Sequence, residues 1–349
     1  MREQHGGDTA AYRIEYGSEP LDFSANLSPL GLPHGVRQAA SAALDEAAAY
    51  PDPECRALRS AISKAFRLPA ESILCGNGAA DLIWRLIAAL RPKHALITAP
   101  TFGEYRAALR RAGCETEELL LREADGFRLQ KSVLDRISPE TDLVILCEPN
   151  NPTGVTTEPA LLRQILARCR ACGCLLAVDE CFRDFLARPD EGSLLQEAEN
   201  GGVLVLRAFT KFYAMAGLRL GWCFCAETEL LRRMQEQGQP WPVSSIAQAA
   251  GRAALQEAEY AERLRALIPA QREALRASLA SFGCRVIPGE ANYLLFFSPV
   301  PELGRRLAAR GILIRSCADY SGLGPGWYRI AVRTEEENRR LIETIREVL

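Results

Sequence analysis

The stretch Val203-Leu204-Val205-Leu206-Arg207-Ala208-Phe209-Thr210-Lys211-Phe212-Tyr213-Ala214-Met215-Ala216-Gly217-Leu218-Arg219-Leu220-Gly221 decides how this chain is read. It opens with an unbroken apolar run, and such a run fits a strand buried on both faces of a sheet. Lys211 follows just past that run, among aromatic residues, with Arg219 beyond it. A lysine there is either a surface residue beside core or a partly desolvated amine with a lowered pKa.

Similar runs precede it at Ile73-Leu74-Cys75, Ala95-Leu96-Ile97, Leu143 to Cys147 and Leu175 to Val178. Helical patterns at 79–90, 103–112 and 159–171 lie between some of them, so the spacing predicts a mostly parallel sheet covered by helices. Two amphipathic helices, 36–49 and 55–66, precede the first run and are parted by Tyr50-Pro51-Asp52-Pro53. After Cys225 the texture changes to a long helical region, 227–282, interrupted mainly at Pro240-Trp241-Pro242. Short strands follow at 284–287, 292–297, 312–315 and 327–332, with helices at 301–310 and 335–348. The expected organisation is an N-terminal arm (1–35), a large α/β domain (36–235) and a smaller α+β domain (236–349) to which the arm contributes.

Composition narrows the function. With 349 residues, 48% hydrophobic and 25% charged, the chain is an ordinary globular one of about two domains. Its 42 basic and 44 acidic residues leave a net charge of −2, which excludes a globally basic nucleic-acid binder. The basic count holds only four lysines, Lys64, Lys93, Lys131 and Lys211, and the first three have helical or linker contexts that face water. The first twenty residues show no apolar signal core and no run is long enough to span a bilayer, so the expected location is the cytoplasm. The twelve cysteines then read as reduced thiols. Cys169, Cys172 and Cys174 straddle a helix end and a buried strand with no fourth ligand near, and no metal is expected.

Four strand-end features share one logic, because ligands of open α/β sheets collect beyond the carboxyl ends of the strands. Gly76-Asn77-Gly78-Ala79-Ala80-Asp81 opens a helix, where small residues and free N–H groups favour an anion. It is not a dinucleotide fingerprint, since Asp81 stands where a third glycine would. Asn150-Asn151-Pro152-Thr153-Gly154, Asp179-Glu180 and the Lys211 segment follow later strands.

In this order and spacing the set resembles the fold-type-I family of pyridoxal-phosphate enzymes, in the branch of histidinol-phosphate aminotransferases and threonine-phosphate decarboxylases. The resemblance runs over nearly the whole chain. It implies that Lys211 carries the cofactor as a Schiff base, and that Arg219, Thr210 and the Gly78–Ala79 backbone hold its phosphate. Asp179 would pair with the ring nitrogen, Asn151 with the ring oxygen, and Phe102 would stack on the ring. Tyr50 would reach the cofactor phosphate of a neighbouring subunit, which makes the protein a homodimer with shared sites. Arg329 would grip the substrate carboxylate and Arg315 a substrate phosphate, a task suited to the planar guanidinium fork. Arg333 follows where the aminotransferases usually carry a small residue.

Two departures separate the branches. Aminotransferases usually read Asp-Glu-Ala-Tyr where this chain has Asp179-Glu180-Cys181-Phe182, and Phe182 cannot donate to the ring oxygen. The His5-Gly6-Gly7-Asp8 start, Asp22-Phe23-Ser24-Ala25-Asn26, and Arg315-Ser316-Cys317-Ala318-Asp319-Tyr320 look like the decarboxylases. Ala208 stands where a hydroxyl residue often helps hold the cofactor phosphate. The reading implied is decarboxylation of L-threonine O-3-phosphate to (R)-1-amino-2-propanol O-2-phosphate for the aminopropanol linker of cobalamin. His5, Asn26, Arg315, Arg329 and Arg333 would orient the substrate. Histidinol-phosphate aminotransfer is the alternative, and a non-catalytic ligand sensor of the same fold is a second.

Overall fold

The structure, a computed structural model, describes residues 6–348. A two-residue strand β1 (Leu21–Asp22) comes first, and the strands that build the main sheet follow. These are β2 (Ile73–Gly76), β3 (His94–Ala99), β4 (Glu115–Leu120), β5 (Leu143–Cys147), β6 (Leu175–Asp179), β7 (Val203–Ala208) and β8 (Gly221–Cys225). Their order across the sheet is β2-β8-β7-β6-β5-β3-β4, and only β8 runs antiparallel to its neighbours. Every expected apolar run is a strand. Along β7, Val203 and Val205 enter one core while Leu204 and Leu206 enter another, so both faces are covered. That double burial is why these strands read as continuous rather than alternating.

Two strands of this sheet carried no such signal. β4 has the sequence Glu-Thr-Glu-Glu-Leu-Leu and is the outermost strand, where charged residues protect an open edge from further pairing. β8 turns straight back from the Lys211 segment and pairs antiparallel with β7 and β2.

The remaining strands are β9 (Arg285–Val286), β10 (Tyr293–Phe297), β11 (Ile312–Leu313), β12 (Arg315–Ser316) and β13 (Trp327–Ala331). They form an antiparallel sheet β12-β13-β10-β9, with β11 pairing instead, in parallel, with β1. The expected 312–315 strand is thus broken at Ile314, which lets each half serve a different partner. The N-terminal segment is stitched to this second sheet: Phe23 N–H donates to Leu313 O at 2.8 Å and Ala331 N–H to Phe23 O at 2.8 Å.

The 227–282 region resolves into helices Thr228–Glu236, Ser245–Ala254 and Ala258–Ser281. Ser244 caps the second, its Oγ accepting from Ala247 N–H at 3.1 Å. Ala247, Ala250 and Ala254 pack with Val36, Leu58 and Ile62 in the core under the main sheet, whereas Leu264, Ile268 and Leu275 pack with the second sheet. The first predicted helix is shorter than 36–49: it spans His34–Ala42 and tightens into a 3-10 turn at Ala43–Glu46.

At one point sheet and helix touch backbone to backbone. A Cβ on Gly221 would lie 2.6 Å from Ala79 N and 2.7 Å from Gly78 C. Gly221→Ala should therefore cost about 1–3 kcal/mol, as overpacking does. A lowered thermal unfolding midpoint is expected, and an unchanged midpoint would show that this contact can relax.

Candidate active site

The carboxyl ends of β2, β5, β6 and β7 converge on a cavity of about 430 Å³ that the second sheet closes from the opposite side. Gly78, Ala79, Phe102, Asn151, Asp179, Thr210, Lys211 and Arg219 line it from the main sheet, and Asn26, Arg315 and Arg329 from the N-terminal segment and second sheet. These are the residues that the motifs singled out from stretches more than 300 positions apart. Arg333 is elsewhere, Tyr50 is the residue expected at a neighbouring subunit's site and does not line this one, and His5 lies outside the described residues.

Lys211 sits in the short helical turn Phe209–Phe212 immediately after β7. Its amine has a pKa pushed down to about 8, first by loss of water, then by the Arg329 and Arg219 guanidiniums, with Cys181 and Asp179 opposing. Phe182 flanks it, with Nζ 6.0 Å from the ring centroid. The other three lysines are exposed.

Asp179 ends β6 and is buried. Its Oδ2 accepts from Tyr105 Oη at 2.7 Å and its Oδ1 from Cys181 N–H at 3.0 Å, which fixes the carboxylate's orientation. Glu180, the next residue, turns the other way into an ion pair with Arg207 at 2.8 Å. Tyr105 was not foreseen: it carries no motif, but it follows Phe102 on the Gly103–Arg111 helix, and their rings meet edge to face at 5.6 Å. One buried tyrosine therefore braces both Asp179 and Phe102. Burial and the adjacent carboxylate push its phenol well up, so it remains a donor.

The anion-friendly corner is the start of the Gly78–Leu90 helix. Gly78 has φ +78°, and a Cβ there would meet Arg219 Nη2 at 2.7 Å. Arg219 Nη2 donates to Asn77 O at 3.3 Å, which lays the guanidinium across the helix start.

Across the cavity, Arg315 on β12 lies directly opposite Arg329 on β13 in the strand register. Both are buried, but their partners differ. Arg329 donates to neutral acceptors, Asn151 Oδ1 and Ser24 O, the latter at 2.9 Å, and its Nε has no partner among the described residues. Arg315 is ion-paired with Asp319 at 2.7 Å. Asn26 is among the cavity-lining residues and is buried, with its Oδ1 unpaired among the described residues.

Arg333 does not line the cavity. Its Nη1 donates to Asp22 O at 3.1 Å and its Nη2 to Glu337 at 2.6 Å, so it ties β1 to the last helix, Glu335–Val348. Tyr50 is also remote: it is 79% exposed and stacks on Trp241 with centroids 4.2 Å apart. Cys169 and Cys174 are buried and Cys172 half-buried around the end of the Pro159–Cys172 helix, away from the cavity.

The class follows from this fold and site: the chain belongs to the class I and II aminotransferase family, whose model matches residues 18–345. Among individual relatives, the threonine-phosphate decarboxylase of Salmonella typhimurium is 38% identical over 99% of this chain and 96% of that protein. The histidinol-phosphate aminotransferase of Symbiobacterium thermophilum is 35% identical over 94% of this chain and 90% of its own length. The crystal structure of the histidinol-phosphate aminotransferase from Clostridium acetobutylicum superposes with a TM-score of 0.88 at 26% identity, covering 93% of this chain and 98% of that one.

The Lys211 environment makes a direct prediction. A neutral amine is the acylating form, so acetylation of Lys211 in cofactor-free protein should rise with pH to a midpoint near 8 and level off above it. An ordinary lysine has its midpoint near 10.4. Mass spectrometry of the Lys211 peptide across pH 6–11 measures this, and a midpoint above about 10 would contradict the burial and charge argument.

Proposed function

We propose that this chain is a pyridoxal-phosphate-dependent decarboxylase of L-threonine O-3-phosphate. It releases carbon dioxide and (R)-1-amino-2-propanol O-2-phosphate, which supplies the aminopropanol linker of cobalamin. The observation that carries the reading is the pair of buried arginines, Arg315 and Arg329, set side by side across β12 and β13 and facing Lys211. Two adjacent guanidinium forks suit a small substrate with two anionic ends. The 38% identity to a threonine-phosphate decarboxylase supports the same choice.

The cavity residues fit the cofactor. The Gly78 turn with Arg219 lying over it is a cradle for a phosphate, and a Cβ at Gly78 would intrude on it. Thr210 would add a hydroxyl there, while Ala208 adds none. Asp179 offers an oriented carboxylate to a cationic ring nitrogen, Asn151 an amide to the ring oxygen, and Phe102 a face for stacking. Bound there, pyridoxal phosphate supplies an electron sink for the pair released when a bond at the substrate's Cα breaks.

What this chain adds is orientation and proton control. Arg329 grips the carboxylate, Arg315 the distal phosphate, and Asn26 offers a further polar contact. Together they determine which Cα bond is presented for cleavage. Lys211, with its lowered pKa, exchanges a proton readily near neutrality and returns one to Cα. Phe182 offers no hydroxyl beside it. We omit Arg333 from this set because both its terminal nitrogens are engaged away from the cavity.

The assembly we propose is a cytoplasmic homodimer, in which the exposed Tyr50 enters the partner's site. No helix among the described residues is long and apolar enough to cross a membrane. We read residues 1–35 as an arm and divide the rest into a large and a small body. The packing of Ser245–Ala254 against the large body favours a boundary near 256 over one at 235. Aminotransfer from histidinol phosphate is the second reading, favoured by the 35% identical relative.

Incubation with L-threonine O-3-phosphate and no keto acid separates them: the decarboxylase releases carbon dioxide. Absence of release, with 2-oxoglutarate-dependent turnover of histidinol phosphate, would select the aminotransferase. Arg329→Gln should lower kcat/KM for the active substrate by about 10²–10³, the loss expected when one partner of a buried charge pair is removed.

A further inference from the structure

We propose that Ser24 is a positioning residue that couples the grip of Arg329 on a carboxylate to the seating of the Gly6–Gly7 strap over the cavity. This rests on the reading of Arg329 as the carboxylate's partner. Ser24 is 2% exposed and is engaged on every side. Its N–H and its Oγ both donate to Asp22 Oδ1, at 2.7 and 2.6 Å. With the hydroxyl hydrogen thus committed, an Oγ lone pair remains, and Gly7 N–H donates to it at 2.7 Å. The Ser24 carbonyl accepts from Arg329 Nη2 at 2.9 Å.

The strap is fitted to the same residue. Gly6 lines the cavity, and a Cβ on it would lie 2.6 Å from the Ser24 carbonyl carbon and nearer still to the oxygen. Gly7 has φ +88°, a left-handed conformation that suits glycine. Just beyond, Asp8 caps the Thr9–Tyr16 helix, its Oδ1 accepting from Ala11 N–H at 3.0 Å. Tyr12 Oη anchors that helix by donating to Ala308 O at 2.6 Å. The strap is therefore fixed at one end by a docked helix and seated at the cavity on Ser24.

The consequence follows from linkage. One peptide group receives Arg329 on its carbonyl and carries the strap on its face, so a change at either is felt by the other. A ligand carboxylate that holds Arg329 in place stabilises the Ser24 carbonyl contact and with it the strap's seat. A seated strap in turn strengthens carboxylate binding by the same factor.

The test uses equilibrium binding to the holoenzyme of two ligands that lack an amine and cannot react. 3-Phosphonopropanoate carries a carboxylate and propylphosphonate does not. Calorimetry on the unmodified protein should show tighter binding of the first. Gly6→Ala forces the strap and the Ser24 carbonyl that Arg329 binds apart, and Ser24→Ala removes the hydroxyl that holds Gly7. Each should weaken 3-phosphonopropanoate binding about tenfold and propylphosphonate binding less than twofold. Hydrogen exchange at residues 6–8 should slow when 3-phosphonopropanoate binds to the unmodified protein, and this protection should disappear in both variants.

Equal weakening of both ligands, or no change in either, would overturn the coupling. If the unmodified protein binds the two ligands equally, Arg329 does not read a carboxylate and the proposal falls with that premise. No turnover is measured, so a chain that transaminates instead of decarboxylating leaves the binding result intact. Should Ser24→Ala fail to fold, Gly6→Ala alone decides.

Discussion

Everything at the site depends on holding one amine where it is reluctant to be charged. Lys211 stands just past a strand buried on both faces, where loss of water first and then two guanidiniums lower its pKa while a thiol and Asp179 oppose. A parallel sheet produces this setting. Its strands deliver their carboxyl ends to one edge, so residues from distant parts of the chain share one partly desolvated space.

The two cavity arginines illustrate how burial is made bearable in different ways. Arg315 has a counter-ion, Asp319, and is neutralised before any ligand arrives. Arg329 has only dipoles, from Asn151 and the Ser24 carbonyl. Its positive charge is uncompensated by an ion pair among the described residues, and that charge is part of what suppresses protonation of Lys211. An anion arriving at Arg329 would relieve both costs at once. The network of Glu180, Arg207 and Asp184 behind the site is instead ion-paired, although Arg207 Nε has no partner among the described residues, and it serves as a frame.

The parallel strands and their end-of-strand motifs were legible because both-face burial writes a continuous apolar run and ligand contact demands small or charged residues just after it. β4 was not, since an edge strand is allowed to look like loop. β8 was not, since its Gly-Trp-Cys-Phe-Cys sequence is short, opens on glycine and follows the Lys211 segment with no intervening turn signal. Tyr105 escaped because a residue that braces others needs no spacing rule; it only has to lie three positions after Phe102 on a helix. Arg333 draws attention because it follows where the aminotransferases usually carry a small residue, a signal of identity that carries no direction for the side chain. The Arg329 strand ends at Ala331, the alternation stops with it, and Arg333 turns to Glu337.

This displacement of Arg333 explains how the small body can be assembled from two ends of the sequence. β1 has only two residues and one strand neighbour, too little pairing to hold by itself. Arg333 adds a bond to its Asp22 carbonyl, Ala331 N–H adds one to Phe23, and Arg329 adds one to Ser24. Three successive residues of the N-terminal segment are thus fastened by residues 329–333 of the C-terminal one. The cavity wall that carries Ser24 and Asn26 is therefore a product of that seam. An arginine that does not line the cavity still helps determine where the cavity-lining residues stand.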